Sequence, residues 1–162
     1  MIRVARPGDL AVLGPVEHDA ATRYAEIGLP GDFACLPLTL LEEGARAGLL
    51  FVLDLEGPAG FALCQAYADG LHLRELDVVR AHQGRGYGTL LLDRVAREAL
   101  DRGLPRVTLT TFRDVPFNAP WYVSRGFRVL EPTGWLAAIR AEEREAGLDA
   151  WPRVAMERVL AG

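Results

Sequence analysis

Gln83-Gly84-Arg85-Gly86-Tyr87-Gly88 lies between an apolar run, Leu71-His72-Leu73-Arg74-Glu75-Leu76-Asp77-Val78-Val79, and an amphipathic one, Thr89-Leu90-Leu91-Leu92-Asp93-Arg94-Val95-Ala96. Three glycines in five residues leave the backbone bare, so several N–H groups can turn toward one anion. The helix predicted after them adds its unpaired first-turn donors and the positive end of its dipole. A strand feeding such a loop into a helix is a pyrophosphate cradle, and it belongs to an α/β fold.

Two common phosphate motifs do not fit. A nucleotide P-loop needs Gly-Lys-Ser/Thr, with the lysine reaching the terminal phosphates. This chain has no lysine; its 18 basic residues are all arginine. A dinucleotide fingerprint needs Gly-x-Gly-x-x-Gly at the head of a βαβ array. Here the run is Gly84-x-Gly86-x-Gly88, past the middle of the chain. For an isolated cluster the alternative is a glycine-rich turn without a ligand, since 17 of the 162 residues are glycine.

Half of the residues are hydrophobic, and the length suits one compact domain, residues 1–162. No apolar run approaches the ~18 residues of a transmembrane helix, and the N-terminus lacks the apolar core of a signal peptide. Cys35 and Cys64 sit in apolar settings and read as reduced packing residues. No His/Cys spacing suggests a metal site. Net charge −4 argues against a nucleic-acid surface and suits a cationic partner. These features predict a cytoplasmic protein acting on neither membranes nor nucleic acids.

Along the chain, Ile2–Arg6 reads as a strand stopped by Pro7-Gly8. Asp9 is placed to cap a helix from Leu10 to Glu26, ended by Gly28–Gly31. A second helix spans Pro37–Ala47. Leu49–Leu55, Gly60–Ala68 and Leu71–Val79, joined by turn signals, predict an antiparallel meander that delivers the glycine loop. The next helix, Gly86–Arg102, carries Leu90, Leu91, Val95 and Leu100 on one face. Arg106–Phe112 is a strand that returns beside Leu71–Val79 by a crossover. A short helix Ala119–Arg125, a strand Phe127–Leu130, a helix Trp135–Glu145 and a strand Arg153–Leu160 that closes the sheet complete a mixed α/β pattern.

With its elements in this order, the chain resembles the GNAT family of N-acetyltransferases. Two motifs carry the resemblance. The glycine run is similar to the family's Arg/Gln-x-x-Gly-x-Gly/Ala acetyl-CoA loop. Asn118-Ala119-Pro120-Trp121-Tyr122-Val123-Ser124-Arg125-Gly126-Phe127 is similar to its Asn…Tyr-x-x-x-Gly-Phe segment. Together, in order and about 30 residues apart, they form a specific signal. The resemblance implies a single domain with a mixed sheet of about seven strands flanked by helices, and a splayed pair of parallel strands in its middle.

It also implies roles. Backbone amides of Gln83, Gly84, Arg85, Gly86, Tyr87, Gly88 and Thr89 would hold the pyrophosphate of acetyl-CoA, with Arg85 adding charge at the rim. Leu76 and Val78 would meet the pantetheine arm and the acetyl carbonyl. Tyr122 would be the acid that protonates the departing thiolate. Asn118 would bind the coenzyme arm, or simply cap the following helix. His72 would be the general base, since it sits where several family members place a catalytic Glu or His; Glu75 competes with it, strand parity puts their side chains on opposite faces, and a water chain with no dedicated base stays open. His18 and His82 are weaker candidates.

Acceptor identity should reside in Glu17, His18, Asp19, Tyr24, the loop Leu29-Pro30-Gly31-Asp32-Phe33 and the stretch Glu131–Trp135. Arg80 departs from the family, occupying a place where many relatives carry proline. The function expected is acetyl-CoA-dependent acetylation of a primary amine of a small molecule by direct attack, with no metal. Two other readings stay open: a non-catalytic acyl-CoA-binding sensor, and a protein or aminoacyl-tRNA acetyltransferase. A homodimer also stays open.

Overall fold

The computed structural model describes residues 1–31 and 35–161. Its elements are β1 (Ile2–Val4), α1 (Leu10–Ala21), α2 (Leu38–Ala47), β2 (Leu50–Asp54), β3 (Pro58–Tyr67), β4 (Gly70–Val78), α3 (Tyr87–Asp101), β5 (Arg106–Phe112), α4 (Ala119–Ser124), β6 (Arg128–Leu130), α5 (Gly134–Glu145) and β7 (Arg153–Val159). The strands form one seven-stranded sheet in the order β1-β2-β3-β4-β5-β7-β6. Most neighbours are antiparallel; β4 and β5 are parallel, as a helical crossover between them requires. β4 pairs with β5 in the second of the two units described below, at Leu71↔Val107 and His72↔Thr108. Among the described residues no helix is long and apolar enough to cross a membrane.

The chain gathers into two compact units. The first comprises Met1–Gln65 and Leu73–Val95. Its core is Leu13 and Val16 of α1, Leu41 of α2, Leu50 and Val52 of β2, and Phe61 and Leu63 of β3. These positions follow the helical and alternating periods of the sequence. Gly60 lets β3 approach β4: a Cβ there would lie 2.6 Å from the carbonyl oxygen of Asp77. The second unit comprises Ala66–His72 and Ala96–Gly162. Leu109 of β5, Leu136 and Ile139 of α5, and Ala155 and Met156 of β7 are buried there.

Five expectations are corrected. The first long helix stops at Ala21 and tightens into a 3₁₀ turn over Thr22–Ile27, which Gly28 ends in the left-handed conformation (φ +81°). Asp9 makes no side-chain cap to α1. Instead it accepts the Arg6 N–H at 2.7 Å and a bidentate pair from Arg3 at 2.7 and 2.9 Å. On α3 the buried stripe is Leu91, Leu92, Val95, Ala96 and Ala99, whereas Leu90 and Leu100 are exposed. The packed face is thus turned by one residue from the one expected. The last strand does not end the sheet. β7 lies between β5 and β6; its full length pairs with β5, and three residues of β6 cover its other edge. Cys64 is buried and free, but Cys35 is exposed, not packed.

Candidate active site

In the first unit, β4 runs into a 3₁₀ turn over Arg80–His82 and then into the glycine loop. Gly84 and Gly86 have φ of +74° and +87°, the left-handed region in which side chains are strained. Left-handed residues in such a loop turn successive N–H groups to one side, the geometry of an anion-binding nest. Gly86 passes its carbonyl to Leu90 N–H (3.2 Å) and so opens α3. The amides of Tyr87, Gly88 and Thr89 then have no intrahelical acceptor, as at any helix start. Gly84, Arg85 and Gly86 are exposed, so the cradle faces solvent.

The loop is anchored from within. Gln83 donates its side-chain Nε2 to the Val78 carbonyl at 2.8 Å, and its own N–H to Arg80 O at 3.3 Å. Gln83 therefore acts as a brace, and the free amides begin after it. Arg80 explains its departure from proline. Its N–H donates to Asp19 Oδ2 at 2.7 Å, a bond proline lacks the hydrogen to make, and its guanidinium pairs with Glu26. The His82 ring meets Tyr87 edge-on, and its Nδ1 is buried without a partner.

Further back on β4, Glu75 and Asp77 converge with Glu17 of α1. One carboxylate oxygen from each lies within 4.8 Å of the others. Both oxygens of Glu17 approach the Leu36 N–H, at 3.0 and 3.2 Å. Asp77 Oδ2 is buried, and the Asp77 and Glu75 carboxyls share a hydrogen bond that needs a proton between them. Burial, with Glu75 and Glu17 beside it, pushes the Asp77 carboxyl well above the usual carboxylate range. Burial also raises Glu17, against the opposing Leu36 N–H. Local desolvation raises the Cys35 thiol, with Glu17 and Glu75 adding to it. The sequence pointed to Glu17 for acceptor identity and to Glu75 as a competing base, and Asp77 was not among the candidates. The i, i+2 spacing of Glu75 and Asp77 on a strand was the available signal.

In the second unit, His72 is 1% exposed, and its Nδ1 lies 2.9 Å from Thr108 Oγ1. Tyr67 and Trp135 stack on one another at 4.2 Å, and each meets the His72 ring edge-on. Trp135 Nε1 donates to Asp69 Oδ1 at 2.7 Å, which fixes the stack. His72 is thus locked into packing on the three sides described. Tyr122 lies on α4, largely buried, edge-on to Trp121 and Phe127. Asn118 precedes α4 without a side-chain cap; its Nδ2 donates to Phe117 O at 3.1 Å, and its carbonyl accepts from Tyr122 N–H. Of the acceptor-side residues named from sequence, His18 is exposed, and Asp32 and Phe33 lie outside the described residues.

A backbone nest at the mouth of a long helix, fed by a strand, is a geometry suited to a diphosphate. A model of the acetyltransferase (GNAT) family matches residues 17–127, and the chain belongs to that family, whose enzymes use acetyl-CoA as acyl donor. Among solved structures the chain is similar to N-acetylglutamate synthase from Neisseria gonorrhoeae, complexed with coenzyme A and N-acetyl-glutamate (TM-score 0.77, 21% identity). That match covers 100% of this chain but 35% of the synthase, so the chain spans about a third of that protein's length. It is also similar to the PaiA N-acetyltransferase from Thermoplasma acidophilum in complex with coenzyme A (TM-score 0.68, 17% identity, 99% of this chain and 98% of that one). A third is the ribosomal-protein-S18-alanine N-acetyltransferase from Escherichia coli (TM-score 0.69, 19% identity, 100% and 96%). At these identities the likeness is one of fold.

Proposed function

We propose that the protein acetylates a primary amine of a small molecule by direct attack on acetyl-CoA, in the cytoplasm, with residues 1–162 acting as one transferase domain. The observation that carries the donor half is the pair of left-handed glycines, Gly84 and Gly86, opening at the start of α3. The amides of Gly84 through Thr89 bind the pyrophosphate, with Arg85 at the rim. The backbone of Leu76 and Val78, near the end of β4, receives the pantetheine arm. An N–H there donates to the thioester carbonyl and to the oxyanion that forms from it. Asn118 supports the coenzyme arm.

An alkylamine with a pKa of about 10.4 arrives protonated, so one proton must leave before attack. Glu75 takes it. The geometry favours Glu75 over His72, because the His72 ring is enclosed and engaged with Thr108, whereas Glu75 stands among the carboxylates beside α1. The amine nitrogen then bonds to the acetyl carbon and the C–S bond breaks. Tyr122 gives the departing sulfur its proton. The acidic net charge of −4 supports a cationic acceptor.

The test is thiol release from acetyl-CoA across a panel of small amines, peptides with free N-termini, and buffer alone. Acetylation of small amines above the buffer rate is the expected result. Binding of acetyl-CoA with no amine-dependent release identifies a sensor, and turnover confined to peptides identifies a protein acetyltransferase.

A further inference from the structure

We propose that His82 is a positioning residue for the diphosphate loop: its uncharged ring closes the stem of the loop against Tyr87, and a proton on that ring opens it. The inference rests on the reading of Gly84 through Thr89 as the acetyl-CoA cradle, and adds to it one residue and a direction of pH dependence. His82 ends the 3₁₀ turn before the loop, where its N–H donates to the Val79 carbonyl at 2.9 Å. Tyr87 opens α3 after the loop. Their rings meet edge-on, 6.1 Å apart at 88°, so one contact joins the two ends of the glycine run. Between them lie Gly84 and Gly86, both left-handed and both without a side chain that could hold the loop in shape. Gln83 braces the β4 side through the Val78 carbonyl, and the ring pair ties that side to α3.

Protonation works against this contact. His82 Nδ1 is buried and has no hydrogen-bond partner. In the neutral ring a lone pair occupies that nitrogen, and the proton sits on Nε2. The imidazolium has a donor at both nitrogens, and a charged N–H enclosed without an acceptor is costly. The ring therefore gives up Tyr87 to bring its new N–H to water. The titratable groups around it are Tyr87 from α3 and, in its own turn, Arg80, whose guanidinium pairs with Glu26 and whose N–H donates to Asp19 of α1. Arg85 stands exposed in the loop itself. Among the described residues no carboxylate meets Nδ1 to balance the added charge. Imidazole takes up a proton near neutrality, and a ligand that needs the closed loop binds in proportion to the fraction still closed.

The experiment is calorimetric titration of the full chain with coenzyme A, from about pH 8 to pH 5.5, for the parent, His82→Phe, His82→Ala and Gly86→Glu. The parent's affinity should fall by about threefold or more toward the acid end, beyond any loss that His82→Phe shows. Phenylalanine keeps the ring contact and cannot take a proton, and titration of coenzyme A itself enters both profiles equally. His82→Ala should bind more weakly at every pH, and His82→Phe should recover most of that loss at the alkaline end. Parallel pH profiles in the parent and His82→Phe overturn the proposal. So does parental affinity in His82→Ala, or a parent that gains affinity on acidification relative to His82→Phe, the mark of an imidazolium on the diphosphate. If the melt of one His82 variant shows that it has not folded, the other carries the pH test, since neither can be protonated. Gly86→Glu separates the stem from the cradle beneath it. If that variant binds coenzyme A as the parent does, the cradle reading fails and takes the stem with it. If it loses binding while the parent and His82→Phe stay parallel, the cradle stands and the role of His82 fails.

Discussion

The carbonyl oxygen of Asp77 lies 2.6 Å from the point at which a side chain on Gly60 would begin. The obstruction is backbone, and Val78 Cα and Cγ2 crowd the same point at 3.3 Å, so no rotamer change can relieve it. Gly60→Ala should therefore push β3 from β4 and cost about 1–3 kcal/mol, as overpacking does. The midpoint of urea unfolding measures it, and a variant as stable as the parent would mean that the strands separate at no cost.

Asp9 ties the N-terminus to α1. The Arg3 guanidinium holds its carboxyl below the usual range, outweighing its burial, and the Arg6 N–H helps. A carboxylate depressed in the folded state stabilises at pH values above its unfolded value of about 3.9. That contribution disappears as pH falls through the lower, folded value. Asp9→Asn should reduce stability at pH 7 by about 1–3 kcal/mol. It should also flatten the acid decline below about pH 4. Thermal melts of parent and variant from pH 7 to pH 2 check this; parallel curves would remove Asp9 from the account.

Gly86→Glu places a strained left-handed side chain and a negative charge at the mouth of α3. Affinity for acetyl-CoA should fall at least 100-fold, about 2.7 kcal/mol; the strained backbone should lower the melting temperature somewhat, while the fold is kept because the Cβ enters open space. Calorimetry with coenzyme A reads the loss. Near-parental affinity would dismiss the cradle.

Tyr122→Phe keeps the ring contacts with Trp121 and Phe127 and removes only the hydroxyl. If that hydroxyl protonates the leaving sulfur, kcat should fall by about 100-fold or more while coenzyme A affinity holds. An unchanged kcat, with single-turnover rates showing that chemistry limits it, would leave Tyr122 a packing residue.

The two candidate bases separate by pH profile. A base works only when deprotonated, so its protonation produces the acid limb of kcat/KM. Glu75→Gln should abolish that limb and lower the plateau by about 100-fold. His72→Gln should instead lower stability, through the lost Thr108 bond and ring contacts, and leave the limb in place. The opposite pairing of results would return the proton to His72.

The glycine loop and the Asn118–Phe127 segment were legible in the sequence because both depend on local rules: turns that need bare backbone, and a short helix between fixed punctuation. The order of elements was legible for the same reason, and β5 matched residue for residue. What local pattern does not contain was missed. Asp9 looks like a helix cap until Arg3 reaches it. The α3 stripe turned by one residue because Leu90 sits beside the loop and not over the core. Asp77 became interesting only when α1 brought Glu17 to it, sixty positions away in the chain. The last strand lies inside the sheet because it pairs with β5 and β6 at once, and such long-range pairing is not written in local pattern.

Arg80 draws one end of α1 and the turn after it onto the entrance of the phosphate loop, through Asp19 and Glu26. Glu17 stands on that same helix, two residues from Asp19. A diphosphate held by the nest would steady the turn that Arg80 begins, and with it the helix that carries Glu17. An acceptor that rests on that helix would then be coupled to the donor, and such coupling is reciprocal, so each ligand should bind more tightly in the presence of the other.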